Sequence, residues 1–235
     1  MSNLKFFVAS ILNPILIGIL VYFIQKYFDS KLQHKMESYK ATINYQYNLK
    51  TKLDDEILRW ANPILSSING LLGRLNDIIN NEGHVKLNNN DGYYIQSTYY
   101  YFAQYLCWVQ ILKEEINHRV FGYSEDQQEF LDNINNLRKL IRTGSRCIAI
   151  YSLEQRKIAD MMITTDLKSN RTCLSYYSFT EKFKDETFRN EIISLLKIFC
   201  EITKNDDKYT RIVKLIACLQ ILKKSAEKIL KNDVS

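Results

Sequence analysis

The chain has 235 residues, of which 46% are hydrophobic and 25% charged, and its formal net charge at pH 7 is +6. This is the composition of a folded protein, and the low counts of 7 glycines and 2 prolines favour long helices over many short strands. Five widely spaced cysteines without a Cys-x-x-Cys motif argue against a disulfide framework and suit buried thiols in a reducing compartment. The modest positive charge suits an anionic ligand, nucleic acid or lipid headgroups, and equally an ordinary soluble surface.

An uncharged segment runs from Phe6 to Ile24 with the sequence FFVASILNPILIGILVYFI. At about 1.5 Å per residue its helix would be roughly 28 Å long, close to the hydrocarbon thickness of a bilayer. The residues that follow it, starting with Gln25 and Lys26, contain no small-residue cleavage site, which favours a retained anchor over a signal peptide. Residues 1–25 are therefore predicted to form one transmembrane helix.

Lysine residues are distributed unevenly around this segment. Lys5 is the only charged side chain before it, whereas Lys26, Lys31, Lys35 and Lys40 follow it. Because positively charged side chains stay on the cytoplasmic side, we expect a cytoplasmic C-terminal part and a short N-terminus outside.

Two polar side chains, Ser10 and Asn13, lie inside the predicted span and share a helix face, which Ile17 and Leu20 extend. An amide in lipid is costly unless it finds a partner or water, so this face is predicted to meet other copies of the chain. Two interpretations remain open. The polar groups either hydrogen-bond between helices and set their register, or they line a narrow pore.

Residues 26–60 are predicted to form a helical stalk, and residues 61–235 a helical domain. The stalk carries one apolar stripe at helical spacing, formed by Phe28, Leu32, Met36, Tyr39 and Ile43. The stripe suits packing against another copy, although it contains too few heptads to establish a coiled coil.

The domain is predicted to be all-α, with room for one minor pair of short strands. Pro63 is expected to restart the first helix, Ser97 or Thr98 to cap the second, and Ser124 with Gln127 to form a capping box. The predicted helices are 63–80, 99–116, 124–143, 152–163, 184–203 and 209–230. Short extended pieces are expected at 147–151 and 171–179.

No catalytic constellation is evident, so the chain is predicted not to be an enzyme and to need no cofactor or metal. His34, His84 and His118 are far apart, and none pairs with a cysteine or carboxylate at metal-ligand spacing. The close pair Gly70 and Gly73 lies inside a predicted helix and is no phosphate-binding loop. No arginine precedes a histidine by four to six residues, which argues against the helical ribonucleases that use that spacing. An active site assembled from distant residues stays open as an alternative.

Basic residues cluster around the fourth and fifth predicted helices. Arginines with aromatic neighbours suit phosphates and stacked bases, and Tyr151, Tyr176 and Tyr177 are expected nearby. The simpler alternative is a solvated helix face. The residues predicted to bind an anionic ligand, a nucleotide or single-stranded nucleic acid, are Arg138, Arg142, Arg146, Arg156, Lys157 and Arg171.

Five short segments together resemble a family of bacterial proteins of similar length, largely uncharacterised, that carry one N-terminal transmembrane helix. The segments are WANPIL (60–65), LGRL (72–75), YFAQYLCW (101–108), EQRKI (154–158) and MM (161–162). The resemblance implies an architecture and a location in the bacterial inner membrane, but no catalytic motif.

By architecture alone, the chain is also similar to membrane effectors of bacterial anti-phage systems, namely the Hailong effector channel and the transmembrane partner of type VI CRISPR nucleases. This similarity implies a homo-oligomer that senses a nucleotide-type signal and controls membrane permeability, with a partner protein encoded in the same operon. The alternative is a membrane-tethered scaffold, without enzymatic activity, that recruits a protein partner.

Overall fold

The computed structural model divides the chain into two compact units, Met1–Thr51 and Lys52–Ser235. It describes the backbone of residues 2–81, 83–88, 92–116, 124–145, 148–204 and 206–232. Within these ranges it describes all side chains except those of residues 2–17, 49–50, 52–54, 56 and 232.

The first unit consists of the first part of helix α1, Ser2–Asn80. Every side chain described between residues 18 and 48 is exposed, including the apolar stripe of the predicted stalk. Phe28, for example, is 63% exposed and Tyr39 66%. The apolar stripe is therefore uncovered within the described part of this unit.

The second unit is built from helices that pack around one apolar core, and the all-α prediction is confirmed. After α1 its helices are α2 (Gly83–Asn88), α3 (Gly92–Ile116), α4 (Glu125–Arg142), α5 (Ser152–Met162), α6 (Tyr176–Phe183), α7 (Glu186–Leu195) and α8 (Asp207–Asn232). A 3-10 turn, Lys197–Phe199, follows α7, and strands β1 (Ile163–Thr165) and β2 (Arg171–Cys173) form a small antiparallel sheet.

Helix α1 runs through Pro63 without a break, so the predicted restart there is wrong. Proline removes one backbone donor, but apolar side chains stay in phase on both sides of it, from Ile57 to Ile78, and their burial holds the helix together. The contact with α3 is close at Gly70, where an added Cβ would lie 2.6 Å from ring atoms of Tyr101. This packing places α3 in the centre of the unit.

Helix α3 begins at Gly92, earlier than predicted, and Ser97 and Thr98 are buried inside it and do not cap it. The Ser97 hydroxyl donates to the carbonyl of Tyr93 at 2.7 Å, and the Thr98 hydroxyl to that of Tyr94 at 2.7 Å. Such bonds to the preceding turn satisfy a hydroxyl without ending the helix.

Helix α4 packs mainly against α8, and the two helices are antiparallel. Near the end of α4, the Arg211 guanidinium donates to the Thr143 carbonyl, and near its start the Lys228 ammonium lies 2.6 Å from Asp126. The predicted capping box starts α4, because Gln127 N–H donates to the Ser124 hydroxyl at 3.3 Å and Ser124 N–H to the Gln127 side chain at 2.9 Å.

The strand pair matches only one of the two predicted extended pieces, and that one in part. Residues 148–151 form no strand, and β2 pairs with β1, which directly follows α5. Residues 171–173 of the second predicted piece form β2, whereas residues 176–179 begin helix α6, because the Ser175 hydroxyl accepts a bond from the Ser178 N–H at 3.1 Å and caps a helix there.

The predicted membrane span lies mostly outside the described side chains, which exclude residues 2–17 and therefore Ser10, Asn13 and Ile17. Leu20 is described and is 62% exposed. Among the residues that the structure describes, no helix combines the length and the apolar character needed to cross a membrane.

Candidate anion-binding site

A basic cleft of about 400 Å³ lies where the end of α3, the second half of α4 and the start of α5 come together. Four of its lining residues carry positive charge and none carries a carboxylate. The basic residues are Lys113, Arg138, Lys139 and Arg142, and the others are Asn135, Asn136, Ser152 and Gln155. We refer to this set as the basic cleft.

A buried glutamine, Gln155, holds the inner wall of the cleft. It is only 2% exposed, and its amide nitrogen donates to the carbonyls of Arg138 at 3.2 Å and Ile150 at 2.8 Å. Its amide oxygen accepts a bond from Arg138 Nε at 3.3 Å. One side chain therefore ties the α4 backbone, the segment before α5 and the Arg138 guanidinium together.

The charges of the cleft repel one another. Burial lowers the pKa of Lys113, and the charge of Arg138 lowers it further. Burial also lowers the pKa of Arg138, and the charge of Arg142 acts in the same direction. Arg138 Nη1 is buried without an acceptor among the described residues. An anion in the cleft would relieve this repulsion.

The structure separates the predicted ligand-binding residues. Arg138 and Arg142 line the cleft, whereas Arg146 lies outside the described residues. Arg156 and Arg171 contact Glu114, and Lys157 pairs with Glu191 on α7. Half of the predicted set is thus engaged by carboxylates of the chain itself.

Glu114 organises these ion pairs from α3. One oxygen bonds to the Arg171 guanidinium, and the other lies 3.7 Å from Arg156 and accepts a bond of 2.6 Å from Gln110. Burial alone would raise the pKa of Glu114, but the bonds from Gln110 and Arg171 and the two arginine charges hold that pKa below its usual value. Arg171 and Arg156 therefore contribute to the stability of the fold and are less available to a ligand.

Lys113 is the cleft residue that the sequence prediction missed. It follows a long apolar run and directly precedes Glu114 and Glu115, so it resembles an ordinary polar helix end. Lys113 and Arg138 lie on different helices, so no helical spacing relates them. Only the packing of α3 against α4 and α5 brings the two cations together.

The predicted aromatic neighbours do not line the cleft. The Tyr176 ring packs edge-on against Tyr100 at 5.2 Å and Tyr93 at 6.5 Å, and both Tyr151 and Tyr177 are exposed. Aromatic stacking is therefore absent from the eight residues around the cleft.

A second cavity, of about 470 Å³, has walls of mixed polarity. Tyr99 and Phe199 line it together with Cys200, and the Tyr99 hydroxyl lies 3.7 Å from the Cys200 sulfur. Cysteines 107, 173, 200 and 218 are free thiols. Within the described residues, no three histidines, cysteines or carboxylates group in a way that could hold a metal ion.

Comparison of the chain with protein-family models, with curated proteins and with solved structures finds no match. The resemblance carried by residues 60–75 and 101–162 therefore stays a prediction.

Proposed function

We propose that this protein is a homo-oligomeric, single-pass membrane effector or channel of anti-phage defence in the bacterial inner membrane. Its basic domain, on the cytoplasmic side, binds a nucleotide or nucleic-acid ligand and thereby controls membrane permeability. The observation that supports the proposal most directly is the basic cleft, where four cations converge without a carboxylate. Such a site is costly when empty and favours anions.

The membrane part of the proposal rests on residues 6–24, which contain no charged side chain. The apolar side chains described within it, such as Leu20 at 62% and Phe23 at 63% exposure, have no cover in a single chain. Lipid or further copies of the helix would cover them.

Self-association is supported by the stalk. The exposed stripe from Phe28 to Ile43 lies on one side of α1 and suits parallel packing against the same stripe of other copies. Copies packed in this way would place Ser10 and Asn13 of each chain around a common axis, where polar groups form interhelical hydrogen bonds or line a pore.

Ligand binding changes permeability only if the ligand has a different affinity for the closed and open assemblies. The basic cleft is suited to this role because it joins three helices, and a ligand that bridges Lys113 on α3 and Arg142 on α4 would fix the distance between them.

A double charge reversal in the cleft, Lys139→Glu with Arg142→Glu, tests the proposal. Both side chains are exposed and free of ion pairs in the described residues, so the fold should persist. Purified full-length protein is placed in dye-loaded vesicles, and leakage is followed after addition of ATP or a single-stranded thymidine oligonucleotide. We expect at least one of them to release dye through the wild-type protein and to lose that effect in the variant.

The matched control is Lys224→Glu with Lys231→Glu on α8, which changes the net charge equally at exposed positions that form no ion pair in the described residues. It should respond like the wild type. Leakage that persists unchanged in the cleft variant, or a detergent-extracted protein that is monomeric, would contradict the proposal.

The second candidate function is a membrane-tethered scaffold without a pore that recruits a protein partner. It is supported by apolar side chains that the second unit leaves exposed, among them Leu167 at the turn between β1 and β2 and Leu153 on α5. The variant Asn13→Leu separates the two functions, since it should abolish dye release through a pore and leave a scaffold unaffected.

A further inference from the structure

We infer that the basic cleft binds a small molecule carrying at least two adjacent phosphate groups, and not a strand of nucleic acid. This inference rests on the proposed function and narrows the ligand class of the same site. It follows from the size of the cleft, the chemistry of its walls and the way its central arginine is held.

The size of the cleft suits a small molecule. Its volume of about 400 Å³ falls within the roughly 300–1,000 Å³ typical of small-molecule sites. Sites that bind single strands without sequence preference combine a basic groove with aromatic rings on which the bases stack. The eight lining residues include no aromatic side chain, so a strand would find no stacking surface there.

The charges of the cleft suit a compact, multiply charged group. Lys113 and Arg138 approach from α3 and α4, while Lys139 and Arg142 lie at the rim. None of the four forms an ion pair with a described carboxylate. Glu114, which follows Lys113, is paired with Arg156 and Arg171. Glu154, which precedes Gln155, accepts a bond from the Tyr151 N–H at 2.7 Å. Two adjacent phosphates would neutralise these four charges more completely than a single carboxylate or phosphodiester.

Arg138 is oriented before any ligand arrives. Gln155 accepts from Nε, and this bond restrains the planar guanidinium, while Nη1 is buried without an acceptor in the described part of the chain. A restrained guanidinium loses less conformational entropy on binding a phosphate oxygen than a free one.

The remaining wall residues can distinguish ligands that share the phosphate groups. The side chains of Asn135, Asn136 and Ser152 are exposed and make no hydrogen bond to other described residues, whereas every polar atom of the Gln155 side chain is engaged. Their amides and hydroxyl are available to a base or sugar. A nucleoside polyphosphate and an inorganic polyphosphate thus share one phosphate site and differ in these contacts.

Calorimetric titration of the full-length protein in detergent with pyrophosphate, ATP and a single-stranded thymidine oligonucleotide tests this inference. The variants are Lys113→Met, which removes the inner cation, and Arg142→Gln, which removes an exposed one. The control is Lys224→Met, an exposed lysine of α8 without an ion pair in the described residues. Thermal unfolding verifies that each variant is folded.

We expect pyrophosphate and ATP to bind the wild type and the control, with affinity about tenfold lower in each cleft variant, as for the loss of one charge-assisted contact. Tighter binding of ATP than of pyrophosphate would identify a nucleotide as the source, and equal binding an inorganic polyphosphate. Either result supports the inference.

Two results would overturn it, and they differ in what they imply. If the oligonucleotide binds tightest and loses affinity in both cleft variants, the ligand is a strand, and the proposed anion-sensing function stands. If no phosphate compound binds in a way that depends on Lys113 or Arg142, both the inference and the proposed function are wrong.

Discussion

Two consecutive residues of α3, Lys113 and Glu114, belong to groups of basic side chains that have opposite environments. Lys113 belongs to the basic cleft, where cations meet without a carboxylate, whereas Glu114 gathers Arg156 and Arg171 into ion pairs. The sequence prediction placed Arg138 and Arg142 of the first group and Arg156 and Arg171 of the second in one ligand-binding set. Their difference shows that the partners supplied by the fold, more than the density of positive charge, determine which cations remain available to a ligand.

The difference also separates stability from binding. The ion pairs around Glu114 hold β2 and α5 against α3, so they favour the folded state. The basic cleft works against folding when empty, since burial and mutual repulsion lower the pKa of Lys113. Substitutions in the two regions should therefore affect stability and anion binding in different proportions.

The largest effect is expected from Gln155→Ala, which removes the side chain that joins the cleft. The Ile150 carbonyl loses a buried donor, the Arg138 carbonyl loses a second donor and Arg138 Nε loses its acceptor, so the free energy of unfolding should fall by about 2–3 kcal/mol. Anion affinity should fall as well, because the guanidinium is no longer restrained. Urea unfolding and calorimetric titration with pyrophosphate measure the two effects.

Gln128→Ala is the control for this substitution. Gln128 lies on the exposed side of α4 and bonds to Asp132 at 3.0 Å, so its loss should change stability by less than about 0.5 kcal/mol. Equal urea midpoints of unfolding for Gln155→Ala and Gln128→Ala would show that Gln155 does not hold the cleft together.

A smaller effect is expected from Glu114→Gln, which breaks the ion-paired group and leaves the basic cleft intact. Stability near neutral pH should fall by about 1–2 kcal/mol, because Arg156 and Arg171 lose a partly buried carboxylate. The pKa of Glu114 is lowered in the folded state from an ordinary value of 4.5. Its contribution is therefore complete above that value and is lost as the pH falls below it.

Unfolding curves measured across the acid pH range test whether the stability contributed by Glu114 is lost on acidification. Glu115→Gln is the matched control because Glu115 is exposed on the same turn of α3. The Glu114 variant should lose less stability on acidification than the control. An acid dependence equal to that of the control would refute the role given to Glu114.

The smallest effect is expected from Tyr105→Phe, next to Arg138. The Tyr105 hydroxyl is fully buried and has no partner among the described residues, so removing it should leave stability unchanged or raise it by up to about 1 kcal/mol. The contrasting variant is Tyr94→Phe, whose hydroxyl donates to Asp77 at 2.6 Å and which should lose about 1 kcal/mol. Thermal unfolding compares them; a clear loss in Tyr105→Phe would reveal a hydrogen bond absent from the structure.

Helical periodicity predicted most of the second unit, because burial of an apolar stripe is a local property of the sequence. It also predicted the capping box at Ser124, which needs only a three-residue spacing. It failed at Pro63 and at Ser97, where burial of neighbouring side chains outweighs a residue's usual tendency to end or begin a helix.

The sequence predicted only part of the candidate site, because the site depends on contacts between distant elements. Arg138 and Arg142 were found because they are four residues apart on one helix. Lys113 and the acids that neutralise Arg156 and Arg171 are distant in sequence, and electrostatic pairing between distant elements leaves no periodic signal. The proposed membrane span belongs to residues whose side chains are mostly not described, so it stays a prediction.

The antiparallel pairing of α4 with α8 has a consequence for the order of events during synthesis. The apolar face of α4, with Phe130 and Ile134, is covered mainly by a helix that the ribosome makes about 65 residues after α4 ends. Until residues 207–232 emerge, α4 lacks its main packing partner, although every residue that lines the basic cleft has already been made. The packing that holds α4 in place is therefore completed only when the last helix has been synthesised.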